Sequence, residues 1–471
     1  MPAPGAAAPS FLDRLPAFDG LAPADGADAF RDLPGLALLE SARPGRAGRW
    51  SFLVAEPVVV LEGSSPGATP FAEARAALAR LDALPLPPGS PPFAGGLVGH
   101  LGYDLARRLE RLPVRAVDDQ GLPDLRLGLH AWAIAWDGRD GRAWLAGRAV
   151  DGDVAGLERA LAGVRARAEA ALRVPLRGEP PFPRLVFHSE VDRATWAARV
   201  EAVRAAVAAG ELYQANLTRR LVAPFSGEPW SVFRRLRTGE PAAFTAFVDL
   251  GRDPGGARRA IVSASPEPFL ALDATGHVRT DPVKGTRPRG RTRATDRALA
   301  AELLASGKDR AENTMIVDVL RNDLGRVCRP GSVRVPRLWR LERTPSVQHL
   351  VSTVTGRLAP GRDAFDLLGA TFPGGSITGA PKIRAMELIE SLEPVRRGPY
   401  CGTALWVDAS GALGSSILIR TFVADGRRLT LHVGGGITWR SDPTAEWEET
   451  RTKARGPLGA IGATVEGEEA G

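Results

Sequence analysis

The stretch PVKGTRPRG, beginning at Pro282, holds a residue that the chain otherwise avoids. Of 61 basic residues only four are lysine (Lys284, Lys308, Lys382 and Lys453), against 57 arginines. Arginine keeps its proton in a protein, whereas a desolvated lysine can become a neutral amine and so a nucleophile. Lys284 is therefore a candidate for a covalent step, with a surface lysine on a Gly- and Pro-punctuated turn as the alternative. Acids supply a second chemistry. In KDRAENTMIVDVLRNDLGRV, Glu312 precedes Met315, Ile316 and Val319 at helical spacing, so it projects from the apolar side. A carboxylate there must be paired, protonated or bound to a cation. In RSDPTAEWEETRTKAR, Glu446, Glu449 and Lys453 share one helix face. Two helices presenting Asp309/Glu312 and Glu446/Glu449 suit Mg²⁺, which takes one or two carboxylates and fills its shell with water and substrate oxygens. An arginine partner for Glu312 and a Glu449–Lys453 ladder are the alternatives. No Cys/His cluster suggests zinc.

The elements that must position these groups are legible in outline. FLVAEPVVVL from Phe52 and LHAWAIAWD from Leu129 have strand patterning, and PFAEARAALARLDAL from Pro70 and DVAGLERALAGVRARAEAAL from Asp153 read as helices. RVPLRGEPPFP, Arg173 to Pro183, carries four prolines and is placed as a boundary between residues 1–175 and 184–460. After it, DRATWAARVEAVRAAVAAG is a helix with Asp192 as N-cap, Trp196, Val200, Val203 and Val207 as buried stripe, and Gly210 as stop. Strands then recur at short intervals without βαβ alternation, which predicts α+β architecture with largely antiparallel sheets. In ELYQANLTRRL, a strand puts Gln214, Asn216 and Thr218 on one face, expected toward solvent unless a polar cavity lies there. FPGGSITGAPKIRAMELIESL and LHVGGGITWRSDP read as glycine-rich loops ahead of helices. The first lacks the Lys and Ser/Thr of a P-loop after Gly379, which excludes nucleotide phosphate binding, although backbone N–H groups at the helix start suit a carboxylate.

Composition narrows the class. A chain of 471 residues with 44% hydrophobic content can bury a large core. Cys328 and Cys401 form no disulfide framework, so a cytoplasmic location is expected. No apolar run reaches the roughly 18 residues that cross a membrane, and MPAPGAAAPS reads as a flexible leader. The net charge of +7 points to an anionic partner. The arginines are scattered and aromatic residues make up 6%, so a small anionic substrate fits better than nucleic acid.

Taken together, ELYQANLTRR, SASPEPFL, DPVKGTRPRG, DRAENTMIVDVLRNDLG, SVQHLVSTVTGRL, FPGGSITGAPKIRAMELIE, RGPYCGTALWVD and VGGGITWRSDPTAEWEETRTKA resemble the chorismate-utilising enzymes over residues 185 to 460. LLESA at Leu38, RWSFLVAEP at Arg49 and GGLVGHLGYD at Gly95 resemble the aminating members. The resemblance implies two packed, mainly antiparallel sheets flanked by helices, with chorismate and Mg²⁺ held between them. It implies Glu312 and Glu449 as Mg²⁺ ligands supported by Asp309 and Glu446. Gly434, Gly435, Lys453 and Arg420 would hold substrate carboxylates, with Tyr400, His349, Thr286 and Gln214 as further substrate contacts. Glu267 would be the general acid/base at the C4 hydroxyl. LLESA resembles the tryptophan-binding element of anthranilate synthases, which makes Ser41 a candidate for that ligand.

Within this family the lysine discriminates. Anthranilate synthases carry alanine where Lys284 stands, so ammonia attacks ring carbon C2 directly. In aminodeoxychorismate synthases a PIKGT lysine attacks C2 first. Isochorismate and salicylate synthases place a basic lysine where this chain has Gln214, and an amide cannot activate water. The expected activity is therefore para-amination of chorismate toward p-aminobenzoate and folate, with anthranilate synthase component I or another chorismate aminase as the alternative. Neither cysteine sits in the G-x-C-x-G elbow of a glutaminase, so ammonia is expected from a separate glutamine amidotransferase subunit.

Overall fold

The computed structural model describes residues 11–43, 48–63, 70–173, 182–343 and 347–467. The leader, the last four residues and nearly all of the Pro-rich stretch expected as a boundary lie outside these segments.

Two large sheets dominate. In the first, neighbouring strands run Phe11–Arg14, Ala143–Gly147, Trp132–Asp137, Trp50–Val54, Ala37–Glu40, Phe244–Arg252, Arg258–Ser265, Thr421–Ala424, Arg428–Ile437, Gln214–Pro224, Val186–Ser189 and Thr464–Val465. In the second they run Val283–Pro288, Val347–Arg357, His277–Thr280, Pro268–Leu272, Leu413–Ile417, Thr403–Asp408, Gly96–Leu101, Leu125–His130 and Val59–Glu62. All these pairings are antiparallel except the one that joins Thr464–Val465 to Val186–Ser189. Both sheets draw strands from before and after the Pro-rich stretch.

The sheets pack face to face through apolar side chains. Phe52, Val54 and Ala135 of the first meet Val98 of the second, and Val248, Ile261 and Val423 meet Ala404. Helices cover the outer faces. On the first sheet lie Val154–Ala171, Pro229–Gly239 and part of Pro443–Ala460; on the second lies Gly307–Gly325, through Ile316, Val317, Leu320 and Leu324. The helix Arg193–Ala208 is capped by Asp192, whose carboxylate accepts from Thr195 N at 2.7 Å, and Gly210 ends it at φ 77°. Its buried stripe is Trp196, Val200, Val203 and Ala206, with Val207 at the margin. Val200 and Val203 each contribute about 1.5–3 kcal/mol by leaving water.

Two sequence expectations change. Lys284 does not sit on a turn: Val283–Pro288 is a strand against Val347–Arg357. It continues the line of His277–Thr280 along the same partner, with a register shift between Lys284 and Thr286. Gly285 takes φ 80° at that bulge, a conformation open to glycine at little cost. The run Gly434–Gly436 is likewise no loop; it belongs to the strand Arg428–Ile437 and pairs with Thr218, Leu217 and Asn216. Glycine is needed there for space. A Cβ at Gly434 would come within 2.3 Å of Leu217 O, and one at Gly436 within 2.3 Å of Gln214 Nε2.

Candidate active site

A cleft of about 2250 Å³ collects residues from both sheets and from the helices Gly307–Gly325 and Pro443–Ala460. Of the residues singled out in the sequence, Glu267, Lys284, Thr286, Asp309, Glu312, His349, Tyr400, Arg420, Gly434, Glu449 and Lys453 line it, and so does Ser41 at the N-terminal side. Gly435 and Glu446 stand immediately behind the wall: a Cβ on Gly435 would lie 3.2 Å from Glu449 Oε1 and 3.3 Å from Glu446 Oε2. The missing side chain is what lets two carboxylates approach the strand.

The helices hold their acids as the sequence implies. Ser306 caps Gly307–Gly325 by accepting from Asp309 N at 3.2 Å, and Asp442 caps Pro443–Ala460 by accepting from Ala445 N at 2.8 Å. Lys453 Nζ lies 2.7 Å from Glu449 Oε1 and donates to Gly434 O at 2.8 Å, so the ladder written in the sequence does form. Among the described residues Glu312 has no arginine partner; the cation within ion-pair range there is Lys308, at 3.9 Å from Oε1, and that buried oxygen accepts no hydrogen bond. Asp309 instead pairs with Arg287 at 3.3 Å.

Electrostatics separate the carboxyls. Burial raises the pKa of Glu312, with Lys284 and Lys308 opposing and Asp309 and Glu449 adding to the rise. Burial also raises Glu446, against a hydrogen bond from Ser441. Desolvation would raise Glu449 too, but Lys453, Lys284 and Lys308 together outweigh it and the net shift is downward. Glu267 is buried and raised by desolvation, with Lys284 the strongest charge opposing and Ser376 hydrogen-bonded to the carboxyl. Lys284 thus acts on the same carboxyls as Lys308 and Lys453. An unpartnered buried oxygen on Glu312, facing a helix that brings Glu449 and Glu446 together, fits the one or two hard donors that Mg²⁺ takes from protein. Among the described residues no group of three or more His, Cys, Asp or Glu side chains forms a complete cage.

Other candidates fall into place around this centre. Thr286 Oγ1 is 2.9 Å from His349 Nδ1, and burial, helped by Arg420 and Arg43, pushes His349 down to about 4. The buried Tyr400 ring stacks on His432 with centroids 4.9 Å apart. Arg420 lies 3.7 Å from Glu240. Ser41 donates to Trp50 O at 3.2 Å, which ties it to its own sheet.

Gln214, Asn216 and Thr218 do not face solvent. All three are buried: Gln214 lies against Gly436, and Thr218 Oγ1 donates to Glu393 at 2.9 Å. Gln214 lies behind Gly436, outside the cleft lining, with both amide atoms unpartnered. The chain from Gly374 to Pro381 is likewise clamped. Arg397, fully buried, donates to Ile377 O at 3.0 Å, to Asn216 O at 2.6 Å and to Glu393, which accepts from Thr218 N at 2.9 Å. This staple presents Ser376 to Glu267. Sequence reasoning missed Ser376, Arg397 and Glu393; the polar face of ELYQANLTRR was the available signal that something buried must answer it.

A family profile for chorismate binding enzymes matches residues 37–459. The chain is 41% identical to aminodeoxychorismate synthase component 1 of Salmonella typhimurium over 421 residues, which is 86% of this chain and 88% of that one. It is 42% identical to anthranilate synthase component 1 of Streptomyces coelicolor over 438 residues, 90% and 83% of the two chains. The crystal structure of anthranilate synthase component I from Streptococcus pneumoniae superposes with a TM-score of 0.76 at 29% identity, over 88% of this chain and 93% of that one. The chain belongs to the chorismate binding enzyme family, with the fold of anthranilate synthase component I.

Proposed function

We propose that this chain is the aminating component of an aminodeoxychorismate synthase and that Lys284 is its nucleophile. One observation carries the reading: Lys284 lines the cleft and is the strongest positive charge acting on both Glu267 and Glu312. Overall similarity does not choose between para- and ortho-amination, since relatives of both kinds stand near 40% identity. Lys284, where the resemblance to anthranilate synthases would place alanine, supports para-amination.

In the first step the neutral Nζ of Lys284 bonds to ring carbon C2, both ring double bonds shift (C1=C2 to C1=C6 and C5=C6 to C4=C5) and the C4–O bond breaks. Burial favours the protonated form of Glu267, which suits it to give the departing hydroxyl its proton, so that water leaves. In the second step ammonia bonds to C4, both double bonds shift back and the C2–N bond breaks, returning Lys284 as a free amine. The surplus proton on the new C4 ammonium returns to Glu267. Glu312 and Glu449, with Glu446 behind, would hold Mg²⁺, which supplies positive charge to a substrate carboxylate. Lys453 and the bare backbone of Gly434 and Gly435 leave room for a carboxylate close to the strand. Ammonia from a separate glutamine amidotransferase fits the names of the component 1 relatives. It also fits the two cysteines, both buried, whose thiols burial pushes up, Cys401 to about 12.

The test is product identity. Protein, chorismate, Mg²⁺ and ammonium at alkaline pH, followed by an added lyase, should give para-aminobenzoate. Lys284→Ala should abolish it by at least about a hundredfold, as expected for a removed covalent nucleophile. Ortho product from the native chain, or para product at full rate from Lys284→Ala, overturns the assignment. Full glutamine-driven turnover by the chain alone overturns the partner.

A further inference from the structure

Of the four lysines, Lys284, Lys308 and Lys453 line the cleft, and only Lys382 stands outside its lining. Lys382 opens the helix Lys382–Leu392, directly after the segment 372–381 that brings Ser376 and Ile377 to the cleft wall. Its side chain is 13% exposed, and its Nζ serves two acceptors. One is Asp323 Oδ2, at 2.6 Å, near the end of the helix Gly307–Gly325. The other is Thr371 O, at 2.8 Å, on the residue that ends the helix Ala364–Thr371 and immediately precedes the segment. The ammonium therefore joins the two ends of 372–381 and ties that base to the helix that carries Glu312. A compact ammonium with three donors serves two acceptors at such short range, where a planar guanidinium needs more room.

The helix makes the neighbouring contact as well. Glu312, Ile316, Val319 and Asp323 recur at spacings of four, three and four residues, so they share one helix face. Val319 backs the segment at Gly375, where a Cβ would stand 2.9 Å from Val319 Cγ1. Gly374 lies against the second sheet, where a Cβ would stand 3.0 Å from Ile417 Cδ1 and 3.3 Å from Phe269 Cε2. Phe269 follows Glu267 by two residues, and the Glu267 carboxyl takes the Ser376 hydrogen bond. Farther along the segment, Arg397 holds Ile377 O, and the amides of Asn216 and Tyr213 donate to Thr378 O and Ala380 O. Asp323 is roughly 16 Å along the helix from Glu312, so Lys382 reaches the segment without touching the acids at the other end.

We propose that Lys382 is a positioning residue: paired with Asp323, it closes the base of segment 372–381 and locks it to the helix Gly307–Gly325, which keeps Ser376 on Glu267. The inference rests on Glu267 as the proton-transferring group of the reaction, and not on Lys284 as nucleophile or on para selectivity.

Lys382→Met alone strands a nearly buried carboxylate and can cost the fold, so the informative protein is Lys382→Met/Asp323→Asn, which removes both charges. In this double variant, hydrogen–deuterium exchange should quicken by about tenfold or more in peptides covering 372–381, while the two sheets keep their native exchange. Chorismate disappearance, which is blind to the product isomer, should show kcat down by about tenfold or more with KM within about threefold, because the Glu267 carboxyl acts in the transition state. Ser376→Ala should lower kcat in the same way. Added to the double variant it should cost little more, since both changes remove one contact. Unchanged exchange in a folded double variant, a rise in KM alone, or fully additive losses of kcat overturns the lock. If Glu267→Gln turns over normally, the proton-transfer assignment fails, and the exchange rates still decide whether Lys382 closes the segment.

Discussion

Glu312 illustrates how one atom can point to a missing positive charge. Its Oε1 is buried without a hydrogen bond, and Asp309 and Glu449 add like charge to the cost of burial. A divalent cation between Glu312 and Glu449 would remove both penalties. Mg²⁺ should therefore raise the melting temperature, by an amount that corresponds to about 2.7 kcal/mol at a hundred times its Kd. Glu312→Gln should abolish most of that rise while leaving the metal-free protein at least as stable, because a repelling charge is gone. Scanning fluorimetry across a Mg²⁺ series, with a chelator control, measures it. An equal rise in wild type and variant would remove Glu312 from the metal site.

Bulge and glycine strand explain how ordinary elements aim these atoms. At Gly285 the left-handed backbone and the close helix act together: a Cβ would stand 2.9 Å from both Asp309 Cβ and Leu303 Cδ1. Gly285→Ala should displace Lys284 relative to Glu312, with kcat down by more than about tenfold and stability lowered by roughly 1–3 kcal/mol. Gly435→Ala is the instructive contrast. Its Cβ would meet carboxylate oxygens at 3.2 and 3.3 Å, not backbone, and those side-chain ends can retreat. It should weaken Mg²⁺ and substrate binding with little change in melting temperature. Kinetics and melting curves on the pair separate the two roles; equal loss of stability in both would contradict the distinction.

Across the whole molecule, buried histidines set an acid limit. His100 and His130 are fully enclosed, each with one ring nitrogen near a backbone carbonyl (Pro123 O at 3.2 Å, Ala55 O at 3.1 Å), and burial holds each near 4. Above the ordinary value of 6.5 both folded and unfolded states are neutral. Below it the unfolded chain takes up protons that the folded chain refuses, so stability falls as pH drops from 6.5 toward 4, by on the order of 3 kcal/mol per histidine. Urea unfolding at neutral and mildly acid pH should show this loss, and His100→Gln should make it shallower. A flat profile across that window would exclude the histidines as its cause.

The sequence by itself determined the α+β class, the antiparallel strands, the cap at Asp192, and the set of acids, lysines and glycines that converge on the cleft. These are local properties: spacing along one helix or strand fixes which residues share a face. It did not decide that Gln214, Asn216 and Thr218 are buried, that Lys284 rides a bulged strand, or that Gly434–Gly436 pair inside a sheet. It was equally silent on the Arg397–Glu393 staple. Each depends on what a distant segment lays over the residue, and a strand's own period cannot say which of its faces another part of the chain will cover.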